Sequence, residues 1–263
     1  MRELERDHSD STSSSAPALA GRLAVVGSGR AGGSIGRAAR AAGIDVLLGS
    51  RGIDLEGASV VLLCVPDAAI RQACEDAAGS LGAGTFVGHV SGATGLDALL
   101  AATDAGCETF SLHPLQTIPD GETELAGAPC AIAASSPAAG AVAHELAERL
   151  GMRPFEVPEE GRVAYHAAAS MASNFLVALE ESAAELMGAA GVENAREVLS
   201  ALVLRSAANW ADSGAGALTG PIARGDEETV SRHLAAISET APELLPLYEA
   251  LAARTRDLGR DGP

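Results

Sequence analysis

Ten residues, Leu-Ala-Val-Val-Gly-Ser-Gly-Arg-Ala-Gly from Leu23 to Gly32, constrain this chain more than any other stretch. The four apolar residues read as a short buried strand, and residues 34–42, rich in alanine and arginine, as a helix. Between them Gly27, Gly29 and Gly32 form G-x-G-x-x-G, with Ser28 and Arg30 inside the turn. Strand, glycine turn and helix in this order suit the pyrophosphate of a dinucleotide. The first glycine permits the tight turn, the second lets a pyrophosphate approach the backbone, and the third lets helix pack on strand. Free N–H groups and the positive dipole end at the helix start complete the cradle. The chain has 30 glycines, so the pattern gains its meaning from its place between strand and helix.

Further apolar runs read as strands at residues 45–48, 58–65, 85–90, 109–112, 130–133 and 154–157. A helix reads over residues 68–78, and another opens at Ser136-Pro137 and closes at Gly151. From Glu159 the pattern is helical only: residues 162–187, residues 192–211, a helix capped by Asp226, and one opened by the capping box Thr240-Ala241-Pro242-Glu243. The expected class is α/β: an N-terminal Rossmann-type doubly wound parallel sheet over residues 21–158, followed by a smaller all-helical C-terminal domain over residues 159–263. Residues 1–20 carry a Ser/Thr/Asp cluster without periodicity and read as a disordered tail.

Composition narrows the partners. The formal net charge is −17, and all 18 basic residues are arginine. Without lysine there is no Schiff base, no Walker lysine and no lysine general acid, and the acidity argues against nucleic acid and anionic membranes. No apolar run is long enough to span a bilayer, and the first twenty residues lack a secretory pattern. Cys64, Cys74, Cys107 and Cys130 have no paired spacing, so they read as reduced cysteines of a cytoplasmic protein, with no metal site expected.

Ligands of an open parallel sheet lie outside the carboxyl ends of its strands. Asp67, His89 with Ser91-Gly92, and His113 all fall there. Asp67 can equally cap the next helix, and Ser91-Gly92 can be turn chemistry. His113 is harder to explain without a ligand contact or a structural hydrogen bond. At the end of strand two, Arg51 follows Gly32 by nineteen residues, and Ser50-Arg51 stands where NAD enzymes place a carboxylate. A hydroxyl and a guanidinium suit a 2′-phosphate, which favours NADP(H). On the long helix His166, Ser170 and Asn174 recur every four residues, sharing one face as a cleft wall or an interhelical hydrogen-bond network.

Several segments together carry a resemblance. They are Gly-Ser-Gly-Arg at 27–30, Val-Pro-Asp at 65–67, His-Val-Ser-Gly at 89–92 and Ser-Leu-His-Pro-Leu-Gln-Thr at 111–117. Tyr-His-Ala-Ala-Ala at 165–169, Ser-Asn-Phe at 173–175 and Ala-Leu-Thr-Gly-Pro-Ile-Ala-Arg-Gly-Asp at 217–226 complete them. Over residues 21–258 the chain resembles a family of Rossmann-like oxidoreductases whose helical C-terminal domain has carried an unknown-function label. That family is similar to the wider β-hydroxyacid dehydrogenase and 6-phosphogluconate dehydrogenase group, and some members resemble an alternative ketopantoate reductase.

The resemblance implies an NADPH-dependent reductase of a small 2-oxo acid, with ketopantoate to pantoate as the leading expectation. It places the cofactor on Gly27, Ser28, Gly29, Arg30, Gly32, Ser50, Arg51, Val65, Pro66 and Asp67. The substrate carboxylate and hydroxyl fall to Ser91, Gly92, Asn174 and Arg224. The wider group donates its proton from a lysine four residues before the matched asparagine; here that position is Ser170. His166 or His113 would then give the proton, through Ser170 or water, with Asn174 orienting the substrate. A pyrroline-5-carboxylate-type imine reductase needs no strong acid and is one alternative; a non-catalytic NADP-binding sensor is the other. Similar enzymes dimerise through helices such as residues 198–204, so a homodimer is expected, although the same leucines could be internal core.

Overall fold

The computed structural model describes residues 21–50 and 52–260, so the expected tail and Arg51 lie outside the described residues. By its contacts the chain separates into two compact units, Met1–Ala169 and Ser170–Pro263.

The first unit is built on a seven-stranded sheet among the described residues. Its strands are β1 (Arg22–Val26), β2 (Val46–Gly49), β3 (Ala58–Leu63), β4 (Phe86–His89), β5 (Glu108–Pro114), β6 (Pro129–Ala134) and β7 (Arg153–Glu156). The order across the sheet is β2-β1-β3-β4-β5-β6-β7. Helices α1 (Arg30–Ala41), α2 (Ile70–Ala78), α3 (Leu100–Asp104) and α4 (Pro137–Arg149) cover it. Val60 to Leu63 are all fully buried, which is why β3 reads as an unbroken apolar run rather than an alternating one. Leu23, Val25, Val60, Leu62 and Phe110 pack on one face with Ile35 of α1 and Leu146 of α4. Ala24, Val61, Leu63 and Val87 pack on the other with Ile70 of α2 and Ala102 of α3.

The sheet departs from the all-parallel expectation at its edge. β1 to β5 are mutually parallel, but β6 pairs antiparallel with β5, and β7 then runs parallel to β6. Residues 115–128 contain Pro119, Gly121 and Gly127 and form no helix. Without a crossover helix the chain turns back beside β5 instead of re-entering from the same end. α4 then restores the crossover, so β6-α4-β7 is a parallel unit of opposite direction.

Two helix expectations also change. The long helix expected over residues 162–187 is two, α5 (Arg162–Ala172) and α6 (Asn174–Ala189). Ser173 leaves helical geometry at φ −123, ψ −79, which interrupts the His166–Ser170–Asn174 stripe before its third member. Residues 162–169 of α5, expected with the helical segment, group by contact with the sheet. The last helix starts without the expected capping box: the Thr240 hydroxyl donates back to Ala236 O, and a short turn at Pro242–Leu244 leads into the helix.

The second unit consists of α6, α7 (Ala195–Ser213), α8 (Gly220–Arg224), α9 (Glu227–Thr240) and α10 (Leu245–Arg260). The expected Asp226 cap is present, its carboxylate accepting from the Thr229 N–H. Val230, Ile237, Ala241 and Ala252 are its buried apolar residues among those described. Arg196 grips both carboxylate oxygens of Glu181, at 3.1 and 3.0 Å, and so ties α7 to α6. Neither of these two helices has a buried residue. No described helix is long and apolar enough to cross a membrane.

Candidate functional site

The β1–α1 turn assigns each glycine a separate physical task. Gly27 has φ 114, and a Cβ there would lie 2.3 Å from Cys64 O. A Cβ on Gly32 would lie 1.8 Å from Gly27 O. Both glycines are therefore demanded by the fold itself. Gly29 is different: a Cβ there would meet nothing within 4 Å. Space is held open over its backbone at the start of α1, where no side chain caps the helix and no carboxylate stands in the first turn. Uncapped N–H groups and a positive dipole end facing open space suit an anionic group. Ser28 and Arg30 are exposed beside it, and Ser50 is exposed at the end of β2.

Ile53, Leu55, Val65, Ala69 and Ala73, with Asp76 and Ser80, line a cavity of about 320 Å³ next to Val26. The Asp54 carboxylate accepts the Glu56 N–H, so it serves its own loop rather than the end of β2. Pro66 and Asp67 are exposed past β3, and the Asp67 side chain does not cap the turn that it opens.

A second cluster gathers at the ends of β4 and β5. His89 is fully buried, and its Nδ1 accepts the Ser91 N–H at 3.2 Å. The remaining proton of the neutral ring then sits on Nε2, which has no partner within hydrogen-bond distance among the described residues. Burial, followed by the nearby Arg162 charge, pushes His89 down to about 4. The Ser91 hydroxyl accepts the N–H groups of Ala93 and Thr94 at 3.2 and 2.9 Å and donates to Thr94 Oγ1. The Ser91 amide thus points to His89, and its hydroxyl is engaged inside the turn. Gly92 supplies the floor for His113: a Cβ there would come within 2.7 Å of the imidazole Cε1.

His113, half-buried on β5, has its Nδ1 2.6 Å from the Tyr165 hydroxyl of α5. Its ring meets Tyr165 and His166 edge-on, at centroid distances of 5.6 and 6.1 Å. Burial first, then the His166 and Arg162 charges, pushes His113 down to about 4. Burial likewise pushes the Tyr165 phenol up to about 12.

Arg162 stands behind this group with only 4% of its surface exposed. Its Nη2 donates to Ser111 Oγ at 2.7 Å, its Nη1 to Ser91 O at 3.4 Å, and its Nε to Glu159 Oε2 at 3.1 Å. One buried guanidinium thus joins α5 to the ends of β4 and β5. Neither Arg162 nor Tyr165 is marked for a role by sequence alone. The available signal was an arginine at the head of an alanine-rich helix, three residues before Tyr165-His166.

The structure therefore brings together His113, His166, Gly92 and Ser91 in the first unit. Ser170 is half-buried one turn after His166 on α5. Asn174, exposed at the first position of α6, and Arg224, exposed at the end of α8, belong to the second unit.

A parallel βαβ sheet with this glycine turn defines the first unit as a Rossmann-like domain, and residues 53–114 match a family model of that description. Residues 128–255 match a second model, described as a domain of unknown function (DUF2520). No curated protein matches the chain. Among solved structures, the fold is similar to that of a Bacteroides fragilis protein described as an NADP oxidoreductase, at 19% identity and TM-score 0.75, covering 91% of this chain and 99% of that one. A Thermotoga maritima protein is similar at 20% identity and TM-score 0.73, with 91% and 98% covered. A Plasmodium falciparum pyrroline carboxylate reductase with NADP bound is similar at 12% identity and TM-score 0.62, with 92% and 99% covered.

Proposed function

We propose that the protein is an NADPH-dependent reductase of a small carboxylate bearing a C=O group, with ketopantoate as the leading substrate. The observation that carries this reading is the glycine turn: Gly27 and Gly32 are closed by backbone, whereas the space over Gly29 is open at the uncapped head of α1. Gly27, Ser28, Gly29, Arg30 and Gly32 would hold the pyrophosphate. The cavity beside Val65 would take the adenine, and Pro66 and Asp67, next in the chain, would flank the cofactor. Ser50 and Arg51 would hold the 2′-phosphate. Bound there, the cofactor supplies a hydride. Within the first unit, His113 and His166 would serve the proton.

The first test is NADPH oxidation by the purified protein with ketopantoate, against a control without substrate. Saturable turnover is expected, and Arg51→Glu should reverse the preference for NADPH over NADH. An unchanged ratio would remove Arg51 from the 2′-phosphate. The second reading, reduction of a cyclic imine such as pyrroline-5-carboxylate, draws support from the similarity to a pyrroline carboxylate reductase and from the absence of lysine. Turnover of the imine without any keto acid would decide for it. NADPH binding with neither turnover would leave the sensor.

We also infer a homodimer formed through α6 and α7. Phe175, Leu202, Leu204 and Trp210 are each more than 60% exposed in the single chain, which favours an interface over internal core for residues 198–204. Leu176, Val177, Leu199 and Val203 line an apolar groove of about 350 Å³ between the two helices. Contiguous exposed apolar surface of this kind marks interaction sites. Sedimentation should show a dimer that Leu202→Glu dissociates; a monomeric wild-type protein at micromolar concentration would remove this inference.

A further inference from the structure

The lysine that donates the proton in similar enzymes is absent, and the candidate site holds a pair that the sequence reading passed over. We propose that Tyr165, hydrogen-bonded to His113 at 2.6 Å on the half-buried end of β5, is the proton donor of this site and acts as a neutral phenol. The proposal rests on the reductase reading above.

The geometry limits the choice. Every residue of the pair and its surroundings belongs to the first unit. His113 is held on one side by the Gly92 backbone, which leaves no room for a side chain. Tyr165 lies edge-on to both His113 and Phe155. The charged and titratable groups around His113 are Arg162 and His166 of α5, His89 of β4 and Asp67 beyond β3. Cys130 of β6 and Arg162 are those around Tyr165. Three of the four groups facing His113 disfavour an imidazolium, in line with its descent to about 4. At neutral pH the ring is then an unprotonated partner, not an acid. The phenol is fully protonated at the same pH, and at about 12 it is still more acidic than an alcohol, so transfer to an alkoxide runs downhill.

The step balances without a further reactant. With a hydride supplied to the carbonyl carbon by a reduced nicotinamide held on the glycine turn, the π pair would move to oxygen. That oxygen takes the Tyr165 proton, directly or through the His113 ring, forming the alcohol. The phenolate left behind is reprotonated by water. The two tautomers of His113 give the two directions of the same wire: with the proton on Nε2, Tyr165 donates to Nδ1; with it on Nδ1, the phenol is free to donate outward.

Tyr165→Phe removes one oxygen from a half-buried ring. It should lower kcat on a keto acid by about a hundredfold or more while KM and NADPH affinity change little. In the wild-type protein kcat/KM should stay level from pH 6 to 9, because a phenol donor remains protonated throughout. A fall with a midpoint near 6.5 would assign the proton to an imidazolium and overturn the proposal. A readout independent of turnover uses the ¹⁵N-histidine-labelled protein without cofactor. His113, assigned with His113→Gln, should be neutral at pH 6, and Tyr165→Phe should shift its Nδ1 signal. A charged His113 at pH 6, or a signal indifferent to the hydroxyl, would also overturn it. Keto acid turnover unchanged in Tyr165→Phe sinks the donor role alone. No keto acid turnover in wild type sinks the reductase reading and the donor with it, since a cationic imine needs no proton on reduction.

Discussion

Gly32→Ala is expected to destabilise the first unit strongly, whereas Gly29→Ala, three residues earlier, is expected to leave its stability nearly unchanged but to make it poorly able to hold a dinucleotide. The difference lies in what each new methyl would meet. At position 32 the Cβ would stand 1.8 Å from Gly27 O, a backbone atom of a turn that is itself pressed against Cys64 O. Nothing there is the flexible end of a side chain, so α1 must be pushed off β1. Separating them exposes Ile35 and Ala39, which are fully buried against Leu23 and Val25. A cost above roughly 4 kcal/mol is expected, the range of the most damaging core substitutions. In a protein of this size that is a fall in Tm of roughly 10 °C or more by circular dichroism. At position 29 the methyl would project into open space from a backbone at φ −72, ψ −163 that any residue adopts. Stability should change by less than about 1 kcal/mol. NADPH affinity should fall at least roughly tenfold, because the methyl occupies the approach of the pyrophosphate to the backbone. Fluorescence titration checks this, and retained affinity would take Gly29 out of the cofactor site.

Arg162→Met is expected to cost about 2–4 kcal/mol despite keeping much of the side-chain length. It leaves the Ser111 hydroxyl and the Ser91 carbonyl without the charged donor that joins them to α5, and buried groups that lose a partner bear the full desolvation penalty. The half-exposed Glu159 can turn to water, which limits the loss. The pH dependence provides the sharper signature. His89 and His113 titrate at about 4 in the folded protein, well below their ordinary 6.5. The unfolded chain therefore takes up more protons between these values, so stability present above pH 6.5 is lost as pH falls toward 4. Arg162 is one cause of both depressions. Its removal should raise both histidines and flatten the fall of Tm between pH 7 and pH 5. An unaltered slope would show that burial alone holds the two rings neutral.

What could be read from the chain was what neighbouring residues decide among themselves. The β1–α1 turn is local: an apolar strand, three glycines and a helix within twenty residues reveal both the fold class and the open position at Gly29. The same holds for the Asp226 cap and the Ser136-Pro137 helix start, where the partners are three residues apart.

Tertiary structure decided whatever depends on residues far apart in sequence. The reversal of β6 follows from a connection that forms no helix, and apolar content is the same for a strand running in either direction. The stripe of His166, Ser170 and Asn174 has helical spacing, but the break at Ser173 is a conformational choice that this spacing does not encode. Ser91-Gly92 reads from its identity as turn or ligand contact alike, and only the fold shows which N–H groups its hydroxyl accepts. The working parts of the candidate site lie across still longer gaps, with Tyr165 reaching His113 over 52 residues and Arg162 reaching Ser91 over 71. A tyrosine and an arginine on a helix carry no mark of which distant strand end they will meet. Only the packing of α5 against the ends of β4 and β5 makes one a hydrogen-bond partner and the other a buried charge.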